Sequence, residues 1–179
     1  MKVRKFQPNS LLIFRLRILG RGQDKELIAE IKKLYDKFES VKKYYQLELS
    51  GDSEKVLSEY KSKIKKEYFP NRGYGRARSS VSRKVITEFK KISIHPKDLV
   101  ELILYRTEMM LEYTNAYGDI DEPFYNSLCK SFEQACNMIK QEKLEPYFKD
   151  YCNELVGKSS YLGWGVSYSM RDMYREYFN

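Results

Sequence analysis

The chain has 179 residues, 42% of them hydrophobic, 15% aromatic and 32% charged, and its 33 Lys and Arg against 25 Asp and Glu leave a net charge of +8. That apolar content supports a packed interior and excludes disorder throughout, a collagen-like repeat and a disulfide scaffold. Three cysteines, Cys129, Cys136 and Cys152, are too few for a disulfide framework and fit a reducing, cytoplasmic compartment.

The first apolar run, Leu11 to Leu19, is broken by Arg15 and Arg17. It is too short to span a bilayer, which takes about 20 residues, and it lacks the features of a signal peptide. No membrane association is expected. Within it, residues 14–18 alternate like a strand but have no partner strand. From Asp24 to Leu49, Leu27, Ile31, Leu34, Phe38, Val41 and Tyr45 recur every three or four residues, which predicts one helix. A second helix is predicted from Ser53 to Phe69 and a third from Ser80 to Ser93. The fourth, Lys97 to Tyr117, is the most apolar and should stop at Gly118, which tolerates a positive φ.

The fifth starts near Asp121, the sixth carries Leu144, Phe148 and Leu155 and should end at Gly157, and the last covers Trp164 to Tyr177. The short connections predict an all-α fold, one domain over residues 21–179 with about six to seven antiparallel helices stacked as helical hairpins. Residues 1–20 form a divergent segment ahead of it.

Several short motifs come in a characteristic order: Lys-Lys-Glu-Tyr-Phe-Pro (65–70), Gly-Tyr-Gly (73–75), Glu-Phe-Lys-Lys-Ile-Ser (88–93), Tyr-Gly-Asp-Ile-Asp-Glu (117–122) and Gly-Trp-Gly (163–165). In that order the chain resembles a numbered family of small bacterial proteins, domain of unknown function 6155, over roughly residues 24–178. The resemblance implies a bacterial, cytoplasmic, mainly helical protein and carries no activity across.

Charge is unevenly spread. Residues 1–95 hold 24 basic and 11 acidic side chains, and residues 96–179 hold 9 and 14. Either the first half presents an anion-binding face or the two halves attract each other. Residues 61–91 concentrate the effect, with eleven cations against Glu67 and Glu88. Lys65, Lys66, Arg72, Tyr74, Arg76, Arg78, Arg83, Lys84, Lys90 and Lys91 are the candidate nucleic-acid contacts. Guanidinium forks match phosphate oxygens, flexible glycines allow close backbone approach, and Tyr74 offers a ring for stacking. The alternative for the same residues is a solvated helix face with a loop paired to the acidic second half.

The acidic turn 118–123 offers Asp119, Asp121 and Glu122 as oxygen ligands, joined by Glu108 or Glu112. Helix termination at Gly118 and capping by Asp121 explain the same residues without a metal. Arg106 sits at the centre of an apolar stripe, where a charge must be paired or reach water. Asp119, Asp121 or Glu122 would be its partner in a buried ion pair. The lone His95 excludes two-histidine chemistry within one chain, and the cysteines read as core fillers. Gly163-Trp164-Gly165 should aim the tryptophan into the core beside Tyr161 or Tyr168, whereas an exposed Trp164 would mark a contact surface.

These features predict a binding protein without catalytic residues, metal or cofactor, holding DNA or RNA mainly by phosphate. Neutralising about five phosphates would give a log–log salt slope near −4 to −5. The alternative is an interaction module, self-associating or docking an acidic protein, with exposed aromatics among Tyr74, Trp164, Tyr174, Tyr177 and Phe178. A metal-dependent hydrolase using the acidic turn is the third reading.

Overall fold

A computed structural model describes residues 24–50 and 53–178, and every described element is helical. The helices are α1 (Asp24–Lys37), α2 (Glu39–Ser50), α3 (Ser53–Tyr68), α4 (Ser79–Lys90), α5 (Pro96–Tyr117), α6 (Glu122–Gln141), α7 (Glu145–Lys158) and α8 (Val166–Phe178). The all-α expectation holds. The alternating stretch 14–18 lies outside the described residues.

The chain divides into two compact units, one running to Lys43 and the other from Tyr44 onward. In the first, the helix expected over Asp24–Leu49 is interrupted at Phe38, where the Val41 N–H bonds the Phe38 carbonyl three residues back at 3.0 Å. Neither Gly nor Pro accounts for the break. Leu27, Ile28, Ile31, Leu34 and Phe38 of the first unit are exposed.

The second unit is built around α5. Its 22 residues bury Leu99, Val100, Leu102, Ile103, Leu104, Met109, Met110 and Leu111 around most of the helix circumference, the pattern of a helix enclosed by others rather than laid on a surface. Accordingly α3, α4, α6 and α7 all pack on it, and α8 closes against α6 and α7. Truncating a side chain such as Leu104, which has no exposed surface, to Ala costs about 2–5 kcal/mol.

Helix ends follow local chemistry. Gly118 caps α5 with φ +87°, its N–H bonding the Thr114 carbonyl at 2.8 Å. Asp121 caps α6 by accepting the Phe124 N–H at 2.8 Å, and Pro123 fills the first turn, where no N–H is needed. Gly157 does not stop α7, which runs on to Lys158 and is capped at Ser159. Trp164 is 59% exposed with φ +56° and stacks on the Tyr125 ring rather than entering the core; Tyr161 and Tyr168 are exposed as well.

Candidate functional site

The loop between α3 and α4 carries Arg72, Tyr74, Arg76 and Arg78, and its path is tightly fixed. Glu67, at the end of α3, receives the Arg78 guanidinium on both carboxylate oxygens (2.9 and 3.1 Å) and the Arg78 backbone N–H at 3.0 Å. The Ala77 N–H bonds the Glu67 carbonyl at 3.2 Å, and the Tyr113 hydroxyl donates to the Gly75 carbonyl at 2.9 Å. Gly75 lies so close to α3 that a Cβ there would fall 1.9 Å from the Tyr68 carbonyl oxygen, so only glycine fits. Ala77 holds φ +50° between the two arginines, a conformation that costs a non-glycine residue free energy and tends to persist where the surroundings enforce it.

This loop forms one wall of a cavity of about 510 Å³. Arg76, Arg78, Ser79 and Arg83 line it from the loop and α4, Tyr113 from α5, and Asp121, Asn126, Ser127 and Lys130 from α6 and the turn before it. The first turn of α4 has no side-chain cap, since position 78 is an arginine rather than a Ser, Thr, Asp or Asn.

Arg106 lies beneath, only 2% exposed. The expected ion pair with Asp119, Asp121 or Glu122 is not formed. Arg106 Nε donates to Ser82 Oγ and its Nη2 to Ser127 Oγ, both at 2.8 Å, with weaker contacts to the Ser127 and Ser79 carbonyls at 3.5 Å. Tyr68 and Ser82 hydroxyls complete the network at 2.8 Å. The physical reason is distance: Arg106 lies twelve residues before Gly118, about 18 Å along a helix axis. Helical side chains also lean toward the N-terminus, further from the acidic turn. Burial lowers the Arg106 pKa, the Tyr68 hydroxyl raises it, and the positive charge of Arg83 lowers it.

Asp119 instead accepts from the Tyr125 hydroxyl at 3.0 Å, Asp121 caps α6, and Glu122 is exposed. Glu108 and Glu112 are engaged by Lys158, and Glu108 also by the Tyr151 hydroxyl at 2.7 Å. Among the described residues no group of three or more His, Cys, Asp or Glu is placed to hold a metal ion. None of their helices is long and apolar enough to cross a membrane.

Of the central cations, two are neutralised: Arg78 by Glu67, and Lys61 by Glu101 at 2.5 Å. Among the described residues Lys65, Lys66, Arg72, Arg76, Arg83, Lys84, Lys90 and Lys91 are exposed and form no ion pair. The acidic second half therefore does not cover them. Only part of the set converges. Arg76, Arg78 and Arg83 share the cavity, Lys66 lines a separate shallow hollow with Lys55 and Lys63, and Lys84, Lys90 and Lys91 line neither.

Lys130, Ser79, Asn126 and Ser127 were not legible as site residues, because the fold brings them together from separate elements. The arginines of the basic loop and Arg106 on its apolar stripe were the signals pointing there. Four cations line the cavity, Arg76, Arg78, Arg83 and Lys130, against one carboxylate, Asp121; with Arg78 paired to Glu67, three of them have no ion-pair partner among the described residues.

A line of rings leads outward from the cavity. Tyr113 lies 4.8 Å from Tyr117 between ring centroids, and Tyr117 lies 5.7 Å from Tyr74, which is 82% exposed. Phe69 and Phe124 also pack against Tyr113.

A family model described as a family of unknown function, DUF6155, matches residues 16–178. The chain belongs to that family. The DUF6155 match starts earlier than the motifs alone suggested and covers part of the segment read as divergent. No curated protein matches this DUF6155 chain, and no solved structure does.

Proposed function

We propose that this protein binds nucleic acid through its phosphates, with the cavity between the α3–α4 loop, α4 and α6 as the anchor. The observation that carries the reading is the uncompensated charge: a buried arginine held by serines, and three exposed cations converging above it. A buried cation is costly without an anion nearby, and a bound phosphate would supply one. The rings of Tyr117 and Tyr74 add a surface on which a base can stack, a contribution worth about 1–3 kcal/mol per base.

The proposal is narrower than a basic surface spanning residues 61–91. Lys65, Lys66, Arg72, Lys84, Lys90 and Lys91 are outside the cavity and serve at most as distant attraction. The test is fluorescence anisotropy with short single- and double-stranded DNA and RNA. The triple substitution Arg76→Glu, Arg83→Glu and Lys130→Glu should abolish binding while circular dichroism stays helical. Arg78 is left in place because its pairing with Glu67 holds the loop. Unchanged affinity in the triple variant overturns the proposal.

A second reading, docking of a protein partner, is favoured by the exposed Trp164 with Tyr161 and Tyr168. Aromatic residues of this kind are enriched at interface centres. By contrast, Tyr174, Tyr177 and Phe178 are half-buried against the core. Loss of a salt-insensitive association on Trp164→Ala would identify this function instead.

A further inference from the structure

We propose, resting on the reading of the cavity as a nucleic-acid phosphate site, that it takes the end of a single strand: a terminal phosphomonoester rather than an internal phosphodiester. Three observations lead there.

The first is charge. An internal phosphodiester carries one negative charge, whereas a phosphomonoester carries about 1.5 to 2 at neutral pH and presents three acceptor oxygens. The cavity lining carries three unpaired cations, Arg76, Arg83 and Lys130, against the carboxylate of Asp121, more positive charge than one diester would use.

The second is the chemistry of the floor. Ser127 lines the cavity yet is buried, and its Oγ accepts from Arg106 Nη2. That leaves the Ser127 hydroxyl proton free to donate to an anion, polarised by the arginine behind it. Arg106 does not reach the ligand itself; it acts as a positioning residue through Ser127. Arg76, Arg83 and Lys130 supply exposed donors above, so one phosphate is met from below and from the rim.

The third is the remaining wall. Ile120, Asp121, Pro123 and Phe124 border the cavity on the α6 side. They offer apolar atoms and a carboxylate, which would repel a second phosphate rather than hold it. A volume of about 510 Å³ lies in the range of sites for a single small ligand, and the Tyr113–Tyr117–Tyr74 rings give the adjoining base a place to stack.

The test is anisotropy with one short single-stranded oligonucleotide in three forms: 5′-phosphate, 3′-phosphate and both ends hydroxyl. One phosphorylated form should bind at least about tenfold tighter than the hydroxyl form, and which one identifies the end. Lowering the pH to about 5 converts the phosphomonoester, whose second pKa is about 6, from dianion to monoanion and should reduce that advantage. Arg83→Gln and Lys130→Gln should each reduce it, whereas Lys65→Gln with Lys66→Gln should not. Equal binding of all three forms refutes the strand-end inference and leaves the nucleic-acid reading standing. No binding by any form refutes both. An end preference lost in the Lys65/Lys66 variant but kept in the Arg83 and Lys130 variants places recognition elsewhere and overturns the assignment of the cavity.

Discussion

Salt dependence separates a localised phosphate site from a diffuse basic surface, because each neutralised phosphate releases condensed counterions. For a single strand the log–log slope is about −0.7 per phosphate contact. Three cavity cations lack a carboxylate partner among the described residues and are exposed: Arg76, Arg83 and Lys130. Counting each as one contact sets the upper limit, since all three can meet on one phosphate: the slope is no steeper than about −2, and raising monovalent salt from about 50 to about 200 mM should weaken binding by at most about 20-fold.

If all eight unpaired cations between residues 65 and 91 took part, the slope would be about −5.6 and the loss about 2,000-fold. The difference of at least two decades is easily read by anisotropy of a labelled oligonucleotide over a salt series. Lys130→Gln should flatten the slope, by at most about 0.7, and Lys90→Gln should leave it unchanged. A wild-type slope near −5, or a response to Lys90→Gln equal to that of Lys130→Gln, refutes the localisation.

Three further outcomes test the scaffold of the site. Gly75→Ala forces a Cβ to 1.9 Å from the Tyr68 carbonyl oxygen, so the loop must move, at a cost of about 2–3 kcal/mol in urea unfolding and with loss of oligonucleotide binding; full stability would show that the loop is not pinned there. Ser127→Ala and Ser82→Ala each remove a 2.8 Å bond from Arg106 and should each destabilise by about 1.5–3 kcal/mol, as expected for a hydrogen bond to a charged group; a loss under about 0.5 kcal/mol contradicts the buried network. The hydrogen bonds from Arg78 hold the Glu67 carboxyl below its ordinary value of 4.5. Because the folded pKa is the lower one, this contribution to stability is complete above pH 4.5 and is lost as pH falls through the folded value. Unfolding titrations should show that Glu67→Gln flattens the acid limb, and an unchanged acid limb would rule the pair out as its source.

Much of the helical layout was legible because it rests on local signals. Gly118, Asp121 and Pro123 terminate and cap helices for reasons contained in a few residues, and the apolar stripe of α5 marks a buried helix. Gly157 misled because glycine permits a helix end without requiring one, and here the chain continues one residue further. The break at Phe38 left no composition signal.

For the site, the basic loop was visible and the oddity of Arg106 was visible, but not their connection. Asp119, Asp121 and Glu122 were the nearest carboxylates along the chain beyond α5, and helix geometry places them too far away. The partners that Arg106 does use, Ser82 and Ser127, are common polar residues whose role appears only when α4 and α6 are packed on α5. Lys130 escaped notice for the same reason, standing alone in an acidic half of the chain.

The most direct measurement is a two-dimensional ¹H–¹⁵N titration of the protein with a short end-phosphorylated oligonucleotide, following backbone amides and arginine Nε–H signals together. The largest, saturable shifts should fall on Ser79, Ser127 and Lys130 and on the side chains of Arg76, Arg83 and Arg106. Shifts confined to Lys65, Lys66, Lys90 and Lys91, or none at all at saturating oligonucleotide, would contradict a phosphate anchor in this cavity.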